Sequence, residues 1–78
     1  MTSNVIYEGS LRTIATHLQS KSLFETDAPT DNMGKGERFS PTDLVGTALA
    51  SCMMTTIAIK MRAMEELLKG VHIDVLKI

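Results

Sequence analysis

The stretch Phe39–Gly70, FSPTDLVGTALASCMMTTIAIKMRAMEELLKG, decides the fold. Ser40 offers a hydroxyl to a free amide of a first helical turn, and Pro41 suits the first helical position, where a missing N–H costs nothing. Asp43 lies three residues past that cap, at the positive end of a helix dipole. Phe39 and Leu44 are spaced for a hydrophobic staple. At the far end, Lys69-Gly70 is a helix stop. The pattern predicts one helix over about residues 41–69, roughly 43 Å long. In a chain of 78 residues this is a rod around which the remainder must wrap.

The rod has two halves. Leu44 to Ile59 carries no charged side chain and is apolar or small on nearly every face, which predicts burial on all sides. Lys60, Arg62, Glu65, Glu66 and Lys69 then charge one face, while Met61, Met64, Leu67 and Leu68 keep an apolar stripe. The apolar half is short for a bilayer span and is bounded closely by Asp43 and Lys60, so no membrane helix is expected.

Working outward, β-branched and alternating segments predict strands over about residues 4–10, 11–18 and 22–26, an antiparallel meander with a turn near Gln19-Ser20 or Ser20-Lys21. Gly9-Ser10 suits a bulge or turn. Asp27 to Arg38, DAPTDNMGKGER, is a surface loop by its Pro, Asp, Asn and Gly content. Its Gly34-Lys35-Gly36 lacks the glycine spacing and the Lys-Ser/Thr pair of a phosphate loop. After the helix, VHIDVLKI alternates again and predicts a strand over about residues 71–77. The fold class expected is α+β, a single domain over residues 1–78 that ends in mid-strand. A small sheet covers only one face of an all-round apolar helix, so an intertwined homodimer is expected to cover the other.

Eight basic against nine acidic residues, without a basic block, argue against nucleic acid as a partner. No charged n-region with an apolar run opens the chain, so cytoplasm is the default location. One cysteine, Cys52, excludes an internal disulfide framework. On residue types alone, a cysteine among Ala48, Leu49, Ala50 and Met53 reads first as an inert core residue. Cys52 is about three turns into the helix, beyond the reach of its dipole, so a reactive thiolate there needs a cation from elsewhere. Arg12, which interrupts an apolar strand, is a candidate; a solvent-facing or edge-strand arginine is the plainer account. His17 and His72 have no further ligands at metal spacing, so neither metal nor cofactor is expected. Asp27, Asp31, Glu37 and Asp43 read as loop and cap acids.

The run Thr26-Asp27-Ala28-Pro29, Gly34-Lys35-Gly36, Phe39-Ser40-Pro41-Thr42-Asp43-Leu44 and Ala48-Leu49-Ala50-Ser51-Cys52-Met53 resembles the OsmC/Ohr family of osmotically inducible and organic hydroperoxide resistance proteins, as does the N-terminal Tyr7-Glu8-Gly9-Ser10-Leu11-Arg12. The match corresponds to the first half of a family member. The resemblance implies a peroxiredoxin-like, thiol-dependent peroxidase of the oxidative stress response, an oxidoreductase with an intertwined dimer and long central helices. It implies that Cys52 is peroxidatic and that an arginine of the N-terminal strands, best matched by Arg12 with Arg38 as the fallback, holds the thiolate. Two departures accompany it. Many members carry an acid just after the helix-start proline to orient that arginine, where this chain has Thr42, with Asp43 next, about 100° round the helix. The family's second, resolving cysteine is absent, so reduction of an oxidised Cys52 would require an external thiol or a bond to Cys52 of a second copy. A dimeric structural domain, or one binding a small apolar ligand, with Cys52 as core, stands as the alternative.

Overall fold

The computed structural model describes all residues, Met1–Ile78, and is α+β. Three strands, β1 (Ser3–Gly9), β2 (Arg12–His17) and β3 (Leu23–Asp27), precede one long helix, α1 (Pro41–Lys60). Short 3-10 turns occupy Thr30–Asn32 and Arg62–Leu68. The chain divides into two compact units, Met1–Thr42 and Asp43–Ile78.

In the first unit the strands form an antiparallel sheet in the order β1-β2-β3, the meander that the alternation predicts. Val5 pairs with Ala15 and Ile14 with Glu25, and a register shift between Tyr7 and Gly9 makes Gly9 the bulge before the first turn. Gly9, Ser10 and Leu11 all take positive φ, the left-handed region that costs non-glycine residues about 1 kcal/mol each. The turn is held by the Leu11 N–H, which donates to the Tyr7 hydroxyl at 3.2 Å. The loop after β3 folds back on its own start. Gly34 N–H donates to the Pro29 carbonyl at 2.9 Å, and Gly36 N–H to the Ala28 carbonyl at 3.3 Å. A Cβ at Gly34 would lie 1.8 Å from the Ala28 oxygen, so no side chain fits there without opening the loop.

In the second unit α1 starts at the proline that the sequence marks, and it ends earlier than predicted. Residues 61–69 do not extend it. Met61 leaves helical geometry, with φ −116° and ψ 36°, and Met64 interrupts the following 3-10 turns, with φ −121° and ψ 20°. The Met61 N–H is shared between the carbonyls of Ile57 and Ala58, the tightening that closes a helix end. Residues 71–77 form no strand: no neighbouring strand offers them hydrogen bonds, and alternation without a ladder makes only an extended segment. That segment lies along α1, with Val75 against Gly46 and Lys77 Nζ on Asp43 Oδ1 at 2.9 Å.

The burial expected for Leu44–Ile59 is not found within this chain, where no residue of α1 is buried. By length and composition α1 reaches what a bilayer span requires, with mean hydropathy 1.4. Across the whole chain the buried residues are Thr26, Asp27 and Ser40, all polar.

Because a side chain at residue 34 collides with backbone rather than with a movable side chain, Gly34→Ala should cost about 2 kcal/mol. Thermal unfolding should show a clearly lowered midpoint, whereas Lys35→Ala, at the exposed tip, should leave it unchanged.

Candidate functional site

The first unit builds its site on the β2–β3 hairpin. Arg12 opens β2 and Asp27 closes β3, and the register sets them opposite each other. One step along, the Ala28 N–H donates to the Leu11 carbonyl, while the Asp27 N–H turns away from β2 to the Phe39 carbonyl at 3.1 Å. The Arg12–Asp27 position is therefore a non-hydrogen-bonded pair of the ladder, where opposing side chains come closest. The outcome is a two-pronged ion pair: Arg12 Nε donates to Asp27 Oδ1 at 2.7 Å and Nη2 to Oδ2 at 2.8 Å. Nη2 also donates to Glu37 Oε1 at 2.8 Å, and the Glu37 N–H donates to Asp27 Oδ2 at 3.1 Å.

Burial separates the two carboxylates. The side chain of Asp27 is 0% exposed and that of Glu37 61%, with Arg12 between them at 17%. The hydrogen bonds and charge of Arg12, together with the Glu37 amide, hold the Asp27 carboxyl down at about 2, and Asp27 and then Glu37 raise Arg12 above its ordinary value. The guanidinium is thus permanently charged and fixed on one edge.

Sequence reading took Asp27 and Glu37 as loop acids, and the structure makes both of them partners of Arg12. The signal lies in the hairpin: a turn centred between Gln19 and Ser20 sets residue 12 against residue 27. Arg12 itself is neither solvent-facing nor on an edge, since β2 is the central strand. Arg38, the fallback, is engaged by Glu25 at 3.0 Å. Asp43 pairs with Lys77.

On the other face of the sheet, Tyr7, Leu11, Ala28, Pro29 and Pro41 line a mostly apolar cleft of about 410 Å³. Its polar groups are largely committed to one another. The Thr13 and Thr26 hydroxyls share a bond at 2.5 Å, and those of Ser40 and Thr42 one at 3.2 Å.

In the second unit, Cys52 is a free thiol and exposed. Among the half-covered positions of α1, Thr47, Ala50, Met54 and Ala58 follow one helical stripe. Val45, Leu49, Cys52 and Ile59 fall on another, which is open and apolar. The Thr55 hydroxyl donates to the carbonyls of Ser51 and Cys52 at 3.0 and 3.1 Å, fixing the turn that carries the thiol.

Among solved structures, the chain is similar to the crystal structure of a Psychrobacter arcticus 273-4 protein named as an osmotic stress induced and detoxification response protein. Identity is 65% and the TM-score 0.79, over 83% of this chain and 47% of the other. The chain therefore spans about half the length of that protein. No protein-family model and no curated protein matches it.

The depressed Asp27 value fixes an acid response. Between the ordinary carboxyl value of 3.8 and the folded value of about 2, the unfolded chain binds a proton that the folded one does not. The contribution of the pair is complete above the first value and is lost as pH falls through the second. Acid titration of stability should show this loss, and Asp27→Asn should flatten the response in that window while lowering stability at neutral pH.

Proposed function

We infer that this chain, an OsmC-like sequence matching half of a stress-response protein, uses Cys52 as the peroxidatic thiol of an organic hydroperoxide reductase. The observation that carries the reading is an exposed, unpaired thiol set in an apolar helix face, in a chain 65% identical to a protein named for detoxification response. The Cys52 thiolate attacks the terminal oxygen of an alkyl hydroperoxide. The O–O bond breaks, the alkoxide takes a proton and leaves as an alcohol, and sulfur is oxidised to a sulfenic acid. One external thiol condenses with the sulfenic acid and releases water, and a second reduces the mixed disulfide. Apolar neighbours such as Val45 and Leu49 suit an alkyl group better than hydrogen peroxide. Arg12 is the cation assigned to the thiolate, supported by its fixed orientation and permanent charge.

The working form is a homodimer in the cytoplasm. Its support is the open apolar stripe of α1 and the lack of any buried apolar side chain within one chain. A second copy laid on that stripe removes it from water, which favours association in proportion to the apolar area covered. The cleft beside Tyr7 and Pro29 supports a second reading, a binder of a small apolar ligand without redox chemistry.

Intact mass after one equivalent of an alkyl hydroperoxide should show a rapid gain of one oxygen, or a Cys52–Cys52 dimer. Hydrogen peroxide should react more slowly, and Cys52→Ser not at all. A folded chain that stays unmodified overturns the peroxidase and favours the ligand binder.

Sedimentation in detergent-free buffer should give a dimer at micromolar concentration that is lost together with the fold on dilution. A folded monomer, or a chain that stays dispersed only in detergent, overturns the dimer.

A further inference from the structure

The cleft beside Tyr7 belongs wholly to the first unit, and the sheet register builds its floor. Tyr7, Thr13 and Thr26 oppose one another in a row across β1, β2 and β3, so their side chains share a face. Arg12 and Asp27, each one residue out of that row, belong to the opposite face. No charged residue lines the cleft. The Tyr7 ring, Leu11 and the rings of Pro29 and Pro41 give it flat apolar walls around about 410 Å³, a volume that suits a small molecule.

The floor carries one polar feature that the chain leaves unfinished. The Thr13 and Thr26 hydroxyls bond to each other, and Thr26 is buried. Two hydroxyls hold two protons, and the bond between them uses one. Whichever threonine donates, the other keeps a proton for which the protein supplies no acceptor. Water meets that proton while the cleft is open. A wholly hydrocarbon ligand expels the water and strands the proton, whereas a ligand oxygen takes the water's place.

We propose that this cleft binds a neutral aromatic molecule bearing one acceptor oxygen, a ketone or an ether, with that oxygen on the Thr13–Thr26 pair. The inference deepens the reading of the cleft as a site for small apolar ligands and does not depend on the chemistry of Cys52.

The test titrates the full chain with acetophenone, ethylbenzene and benzoate, three probes of similar size, and follows the amide shifts of Thr13, Thr26 and Ala28 by NMR. Acetophenone should bind about fivefold more tightly than ethylbenzene, the share of one neutral hydrogen bond. Benzoate should bind more weakly than acetophenone, because the cleft offers its charge no partner. Thr13→Val and Thr26→Val each leave one hydroxyl proton on the floor, so either alone should keep the preference for the ketone. The double variant should abolish it, and Tyr7→Phe should not. Valine suits a strand, and removing both partners of a bond leaves no orphan, so the double variant should fold. If it does not, the three probes on the natural chain decide. Ethylbenzene or benzoate binding as tightly as acetophenone, or a preference that survives the double variant, overturns the inference and leaves the apolar-ligand reading standing. Shifts that none of the three probes moves overturn both.

Discussion

The first unit hangs on one buried carboxylate. Asp27 is the last residue of β3, and every bond it makes joins a different piece of chain: Arg12 of the central strand, the Glu37 amide of the loop, and the Phe39 carbonyl just ahead of the helix. An unpaired carboxylate with no exposed surface would be severely destabilising, so the loop and the arginine are obliged to meet it. This also explains how a loop rich in glycine and polar residues holds a defined course. Its backbone closes on Ala28 from one side, and its amide at residue 37 is anchored on the carboxylate.

The second unit is governed by the opposite problem. Its helix is apolar, and the half-covered stripe through Thr47, Ala50 and Met54 is matched by an open one through Val45, Leu49 and Cys52. Helices of this kind are stable in water when something covers them. The same open stripe that asks for a cover is the one that carries the thiol, so association and the environment of Cys52 are linked. A thiol lying under a second copy would sit among apolar groups, and a cation close to it would act through a less polar medium than water.

Local pattern determined what the sequence revealed. Val5, Ile6, Thr13, Ile14 and Thr16 announce the strands because period-two alternation is a property of neighbouring residues. Phe39-Ser40-Pro41 announces the helix start because capping is equally local. The break at Met61 was not legible, since no proline or glycine marks it and the apolar spacing runs on through Met64 and Leu68. The strand expected over residues 71–77 was misread for a related reason: alternation states which faces a strand would have, while a ladder needs a partner that the pattern does not supply. The pairing of Arg12 with Asp27 was half legible, through the position of the hairpin turn. The part that Glu37 plays was not, because it depends on how the loop from Asp27 to Arg38 closes.

The unequal exposure of the two carboxylates has a consequence for ionic strength. Mobile ions reach a pair in proportion to its contact with solvent, and the screening length shrinks from about 10 Å at 0.1 M salt to about 3 Å at 1 M. Glu37 stands in solvent and Asp27 does not. Rising salt therefore weakens the outer carboxylate first, and the inner one keeps its grip. The charge felt around Arg12 shifts from net negative toward neutral without any change in the plane of the guanidinium. The fold thus separates two properties of an arginine that are usually tied together, with its direction set by a buried partner and its effective field set by the surrounding solution.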